Sequence, residues 1–110
     1  MRVIERQMIQ AIIERKNFKK ANTEVIKDGD FMYIYLHDNL IAKYGLNDNW
    51  GQLFISHCNW LTNTTKSRLN ALISFLTGSH GIYQKNFRWY LVTPNHNDLD
   101  ITNNSNFIGV

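Results

Sequence analysis

The residues best suited to binding chemistry stand at the start of a predicted helix. Thr64, Thr65, Lys66, Ser67 and Arg68 follow one another there, with no acid among them. The leading end of a helix carries partial positive charge, so cations in its first turn cost stability unless something compensates them. Hydroxyls, free backbone N–H groups and cations together suit a phosphate or a carboxylate. The alternative is that the long basic side chains turn away into water.

A second candidate lies in the last predicted hairpin. Aromatic rings and cations interleave there within eight residues, namely Tyr83, Lys85, Phe87, Arg88, Trp89 and Tyr90. The expected contacts among them are Lys85, Arg88, Trp89 and Tyr90. Aromatic faces stack on nucleobases at about 1–3 kcal/mol per base, while cations hold the phosphate backbone. The pattern therefore predicts a nucleic-acid contact, although aromatic side chains of a short hairpin can equally be core. Trp60, just before the second helix, is expected to be a core anchor.

Metal and catalytic chemistry are not indicated. His37, His57, His80 and His96 are scattered over predicted strands and loops, whereas a metal site needs three or four converging ligands. Cys58 paired with a His from elsewhere is formally a nucleophile and its base. A single cysteine in a strand, however, usually serves as a small apolar filler. We therefore expect no metal, no cofactor and no enzymatic activity.

A different class of function depends on the aromatic residues between the helices. Tyr33, Tyr35 and Tyr44 fall in predicted strands, and Trp50 falls at a predicted turn. Exposed aromatic residues with a polar rim are typical of protein–protein interfaces. A protein-binding inhibitor is therefore a second hypothesis beside nucleic-acid binding.

Hydrophobic periodicity places these residues in two helices and an antiparallel sheet. Ile4, Met8 and Ile12 recur every four residues, which predicts a first helix that stops near Asn17. The predicted strands are residues 23–27, 31–37, 40–44 and 52–58, then 82–85 and 88–93 after the second helix. That helix is capped by Asn63 or Thr64 and ends at Gly78. Each helix has one apolar stripe, which predicts an α+β fold ordered α-ββββ-α-ββ, with both helices on one face of an antiparallel meander.

Length and composition favour one domain. The chain has 110 residues, of which 44% are hydrophobic and 19% charged, values typical of a globular protein. We expect residues 1–94 to form this domain and the Asn-rich residues 95–110 to form a polar tail. Twelve Lys and Arg against nine Asp and Glu give a net charge of +3, with two basic segments around an acidic meander.

The same composition bears on location and partners. A single Cys fits a reducing cytosol. No apolar run approaches the roughly 18 residues of a membrane span, so no membrane contact is expected. Unpaired edges of the predicted meander make a homodimer possible.

Four stretches of the sequence carry a family resemblance. Residues 60–72 read WLTNTTKSRLNAL, residues 35–42 read YLHDNLIA, residues 84–90 read QKNFRWY and residues 4–9 read IERQMI. Together they resemble a family of small, uncharacterised proteins of tailed phages, podophage-like and marine ones in particular, over most of residues 1–92. The distinctive part is the pattern Trp-x-Thr-x-Thr-Thr-Lys/Arg-Ser-Arg-Leu-Asn-Ala.

The resemblance implies a phage product that acts in the host cytoplasm, in host takeover or defence evasion. It also favours the corner from Thr64 to Arg68 as the binding site. Two functions follow as expectations. The first is contact with nucleic acid or a host nucleoprotein through the basic and aromatic residues. The alternative is inhibition of a host enzyme or defence system through protein contact.

Overall fold

A computed structural model of the protein describes residues 1–46 and 52–110. In these ranges the chain forms two helices and nine strands. Their bounds are α1 Val3–Glu14, β1 Phe18–Lys20, β2 Thr23–Asp28, β3 Phe31–Leu36, β4 Asn39–Gly45, β5 Leu53–Ile55, α2 Asn63–Thr77, β6 Gly81–Lys85, β7 Arg88–Thr93, β8 His96–Asp100 and β9 Ile108–Gly109. The predicted turn around Trp50 lies outside the described residues.

Both helices follow from local sequence signals. α1 buries Met8, Ile9 and Ile12, as its apolar spacing predicts. α2 is capped by Thr62, one residue before the earlier of the two predicted caps, because the Thr62 hydroxyl accepts a hydrogen bond from the Thr65 backbone N–H at 3.1 Å. The helix ends at Gly78, whose φ of 71° suits a residue without a side chain. Neither helix is long and apolar enough to cross a membrane.

The larger sheet has six antiparallel strands in the order β1-β2-β3-β4-β5-β9. Met32, Ile34 and Leu36 alternate along β3 and are all buried. They join apolar residues of both helices in one core cluster, so both helices cover the same face of this sheet. The α+β prediction, with both helices on one sheet face, is confirmed.

A second sheet departs from the predicted single meander. Strands β6, β7 and β8 form a separate three-stranded antiparallel sheet. α2 packs against both β5 of the first sheet and β6 of the second. The second helix therefore lies between the two sheets and holds them together.

The residues expected to be a polar tail carry two of the strands. β8 pairs with β7, and β9 pairs with β5, so residues 95–110 extend both sheets. β8 is an exposed edge strand and β9 has two residues. An exposed edge strand needs no apolar alternation, which is why polar composition alone suggested a loose tail.

Candidate functional site

The first turn of α2 directs its hydroxyl groups inward. Thr65 is 1% exposed, and its Oγ1 atom lies 2.9 Å from Oγ1 of the capping Thr62. Thr64 is half-buried, with its hydroxyl 3.5 Å from an Arg2 guanidinium nitrogen. The orphan N–H of Thr65 is therefore satisfied within the fold, and its hydroxyl is not offered to a ligand.

Arg68 is the centre of a buried polar cluster. Its side chain is 3% exposed, and Nη1 donates to Glu5 Oε2 at 2.7 Å. Its Nε donates to the Thr23 hydroxyl at 3.0 Å, and Nη2 donates to Asn22 Oδ1 at 3.3 Å. The Ser67 hydroxyl donates to the same Glu5 oxygen at 2.6 Å. The cluster joins α1, α2 and β2, and we call these five residues the α2 joint.

The charge of Glu5 is held by its partners. Burial by itself raises the pKa of the Glu5 carboxyl. Hydrogen bonds from Ser67, Arg68 and the Arg2 backbone N–H outweigh burial and set that pKa below its ordinary value. Glu5 is therefore ionised at neutral pH, and it neutralises the arginine that the sequence suggested for a ligand.

The binding role expected of Thr65, Ser67 and Arg68 is not supported by their positions. The acid that neutralises Arg68 comes from α1, sixty-three residues away in the chain. Spacing carried a signal for this pair: Glu5 precedes Met8 and Ile9 by three and four residues, and Arg68 precedes Leu72 by four. Both charged residues thus fall on the apolar stripe of their helix.

Asn70, two residues after Arg68 in the motif, covers part of the edge of the second sheet. The Asn70 side chain accepts from the Ile82 backbone N–H at 2.6 Å and donates to the Ile82 carbonyl at 2.9 Å. Gly81, at φ 104°, leaves room for it, since a Cβ atom there would collide with Asn70 Oδ1. Three polar residues of the motif therefore form hydrogen bonds inside the fold: Ser67, Arg68 and Asn70.

In the hairpin, Trp89 belongs to the core and not to an exposed platform. It is 2% exposed and packs edge-on against the His57 ring, with 5.9 Å between ring centroids. His57 accepts from the Asn59 backbone N–H at Nδ1 (3.0 Å), so its Nε2 carries the proton and donates to the Ile101 carbonyl at 2.6 Å. His57 thus ties the C-terminal segment to the core, a role that sequence reasoning missed.

Two acidic residues of β8 bind side chains of the β6–β7 hairpin. Arg88 forms an ion pair with Asp100, and the Tyr83 hydroxyl donates to Asp98 at 2.7 Å. Hydrogen bonds from Arg88 and Thr102 lower the pKa of Asp100 to about 2. Tyr90 stacks on Tyr83 with centroids 5.2 Å apart. Arg88 and Tyr90 therefore face partners of their own sheet.

Two exposed residues, Lys85 and Phe87, and the half-buried Lys66 lie together at the end of the hairpin. Lys85 is exposed, and Lys66 reaches the hairpin, where its Nζ donates to Gln84 at 3.1 Å and lies 6.0 Å from the Trp89 ring centre. Neither lysine has a carboxylate within ion-pair distance in the part of the chain that the structure describes. Phe87, at the turn between β6 and β7, is 92% exposed. We call Lys66, Lys85 and Phe87 the hairpin end.

The aromatic residues of the meander divide between the two sheet faces. Tyr33 and Tyr35 lie half-buried on the face away from the helices. Tyr44 pairs with Met32 and packs against the core, so it does not join them. Trp50 lies outside the described residues. Within residues 1–46 and 52–110, no group of three His, Cys, Asp or Glu side chains is placed to hold a metal ion.

Comparison with known proteins supplies a family. No curated protein and no solved structure matches the chain. The family model described as Kyanoviridae Gp96 protein matches residues 1–109. The expectation of a podophage-like origin is wrong, because this is a family of cyanophage myoviruses. The match covers both sheets, both helices and the α2 joint, and the chain belongs to the Kyanoviridae Gp96 protein family.

Proposed function

We propose that this phage protein acts without catalysis, by binding a protein of the infected cell through the hairpin end. The observation that supports the proposal is Phe87, a large apolar side chain that is 92% exposed. Every other large hydrophobic residue that is exposed in the described ranges is 63% exposed or less. An aromatic side chain in this position contributes little to the core and is well placed to enter a pocket of a partner.

The backbone at Phe87 strengthens this argument. Asn86 and Phe87 have φ values of 52° and 65°, the left-handed conformations that a two-residue hairpin turn requires. The turn between β3 and β4 has the same form, with His37 at 49° and Asp38 at 63°. Asn, Asp and His tolerate this region, but a bulky aromatic residue there is an outlier. Selection for stability alone would favour glycine at position 87.

The charges of the hairpin end indicate the chemistry of the partner. Lys66 and Lys85 are the cations of this region without an acid beside them in the described residues. A complementary partner therefore has an apolar pocket for Phe87 and carboxylates at its rim. Two such cations are few for nucleic acid, whose affinity rises with each phosphate neutralised. The biological result we propose is occlusion of a host enzyme or defence complex in the host cytoplasm.

The test replaces Phe87 by glycine. Phe87→Gly removes the anchor and gives the turn an Asn-Gly pair, so we expect the fold to gain about 1 kcal/mol in stability. In a pull-down from cyanobacterial lysate, we expect the partner retained by the wild type to be lost, with at least about 2 kcal/mol less binding free energy. A rise in melting temperature together with a loss of binding cannot be explained by unfolding.

Two matched variants serve as controls. Phe75→Ala truncates another exposed phenylalanine, 58% exposed on α2, and should leave the partner bound. Asp38→Gly relieves the backbone strain at the corresponding position of the β3–β4 turn, where Asp38 has a φ of 63°, and should also leave binding unchanged. The proposal fails if Phe87→Gly retains the partner. It fails equally if nuclease treatment removes everything that the wild type retains, which would restore the nucleic-acid hypothesis.

A further inference from the structure

We infer that a pocket beside the start of α2 binds a nucleobase. The pocket has a volume of about 210 Å³ and lies between the β3–β4 turn and the segment that leads into α2. Leu36 and Ile41, both residues of the core cluster, contribute apolar surface to it. This site is separate from the hairpin end, and the inference does not rest on the proposed function.

One wall of the pocket is an indole ring open to water. Trp60 was expected to be a core anchor, yet it is 57% exposed and lines the pocket. A flat aromatic face beside an apolar cavity is the arrangement on which a nucleobase stacks. An aliphatic ligand would gain burial from the cavity but would gain no stacking energy from the indole.

The rim supplies hydrogen-bonding groups that suit the edge of a base. The Asn39 carboxamide lines the pocket and makes no side-chain hydrogen bond with the residues that the structure describes. An amide offers one donor and one acceptor side by side, the pair that Asn uses to read adenine. His37 also lines the pocket, with its Nε2 atom 3.5 Å from the Asn22 amide nitrogen.

The pocket lining favours the base over the phosphate. It contains no Lys or Arg residue, so a phosphate would find no fixed positive charge inside. Arg2, which lies 3.5 Å from the Thr64 hydroxyl, stands at the rim and is exposed. The same base chemistry is offered by a free nucleoside or nucleotide and by single-stranded nucleic acid, and the experiment distinguishes them.

The experiment is an NMR titration of the full chain with adenosine, AMP, a short oligo-dA and ribose 5-phosphate. We expect adenosine and AMP to shift the Trp60 indole and Asn39 amide signals. Asn39→Ala and Trp60→Leu should each weaken binding about tenfold or more. Leu61→Ala, which changes a 40% exposed neighbour outside the pocket lining, should leave binding unchanged. Melting curves show whether each variant is folded.

The results of the titration distinguish the possible sources of the base and include results that overturn the inference. Much tighter binding of oligo-dA than of AMP identifies single-stranded nucleic acid as the source of the base, and equal or weaker binding identifies a free nucleotide. Absence of shifts at Trp60 with every base-containing probe overturns the inference. Shifts with ribose 5-phosphate equal to those with AMP overturn it as well. Phe87→Gly should leave adenosine binding intact, so failure at one site is distinguishable from failure at the other.

Discussion

The α2 joint and the hairpin end begin from similar residues and reach opposite states. Both contain cations that the sequence places in a basic segment, 61–92, without acids. At the α2 joint, Arg68 is buried against Glu5 and hydrogen-bonded by each of its three nitrogens. At the hairpin end, Lys66 and Lys85 have no acid beside them in the described residues, and Phe87 is exposed. Of these two regions, the second is therefore the one that we propose to contact a partner.

The difference shows that local charge counts overestimate surface charge. Two of the four cations in the segment are neutralised by acids from outside it, Arg68 by Glu5 and Arg88 by Asp100. The difference also shows that a distinctive sequence motif can have a structural role and need not mark a binding site. The run from Thr62 to Asn70 caps a helix, holds an ion pair and covers a strand edge.

The largest effect should come from breaking the α2 joint. Arg68→Ala leaves the Glu5 carboxylate buried without its cation, and we expect a loss of about 3–5 kcal/mol in unfolding free energy. Urea denaturation measures it. Glu5→Leu combined with Arg68→Met should recover most of that loss, since apolar pairs of similar volume replace buried ion pairs well. A loss below 1 kcal/mol for Arg68→Ala would mean that the joint is open to water.

A smaller effect is expected at the edge of β6. Asn70→Ala removes both hydrogen bonds to Ile82 and should cost about 1–3 kcal/mol, because half-buried backbone groups lose their partners. Hydrogen exchange checks the location: the Ile82 amide should lose protection while the Ile34 amide keeps it. Asn97→Ala, an exposed asparagine of β8, is the matched control and should stay within about 0.5 kcal/mol of the wild type.

The smallest expected effect is the pH dependence of stability that the Arg88–Asp100 ion pair of the hairpin contributes. Arg88 and Thr102 lower the pKa of Asp100 from 3.8 to about 2, so the unfolded chain takes up this proton more readily than the folded one. The ion pair therefore stabilises the fold above pH 3.8, and its contribution disappears as the pH falls to about 2. The melting temperature of Asp100→Asn should lie below that of the wild type at neutral pH and converge with it near pH 2. A difference that is constant with pH would contradict this account.

Periodicity was sufficient to predict both helices and the buried face of β3. The apolar alternation of Met32, Ile34 and Leu36 and the stripe of Met8, Ile9 and Ile12 translate directly into burial. β1 and β9 were missed because strands of three and two residues are too short to show a period. β8 was missed because an edge strand can be polar throughout.

The candidate site was harder to predict because it depends on tertiary contacts between residues that are distant in sequence. Alternation in β7 requires that either Trp89 or Tyr90 face the core. Trp89 is the one that does, because His57 and α2 pack against it, and these contacts depend on the tertiary fold. Arg68 meets Glu5 only through the packing of two helices distant in sequence. Phe87 was noted among the aromatic residues of the hairpin but was not predicted as a site residue, because a tight turn is ordinarily assigned to small or polar residues. A bulky residue at such a turn is itself a usable sequence signal.

The Asn70 carboxamide has a consequence for how this protein behaves in a crowded cell. By occupying both the N–H and the carbonyl of Ile82, one side chain imitates a neighbouring strand along the outer margin of β6. An extended segment of another chain therefore cannot pair with the Ile82 backbone groups, which hinders the addition of a further strand at that position of β6. A self-association of this chain, which stays a prediction, is not hindered in this way at the sheet face that carries Tyr33 and Tyr35.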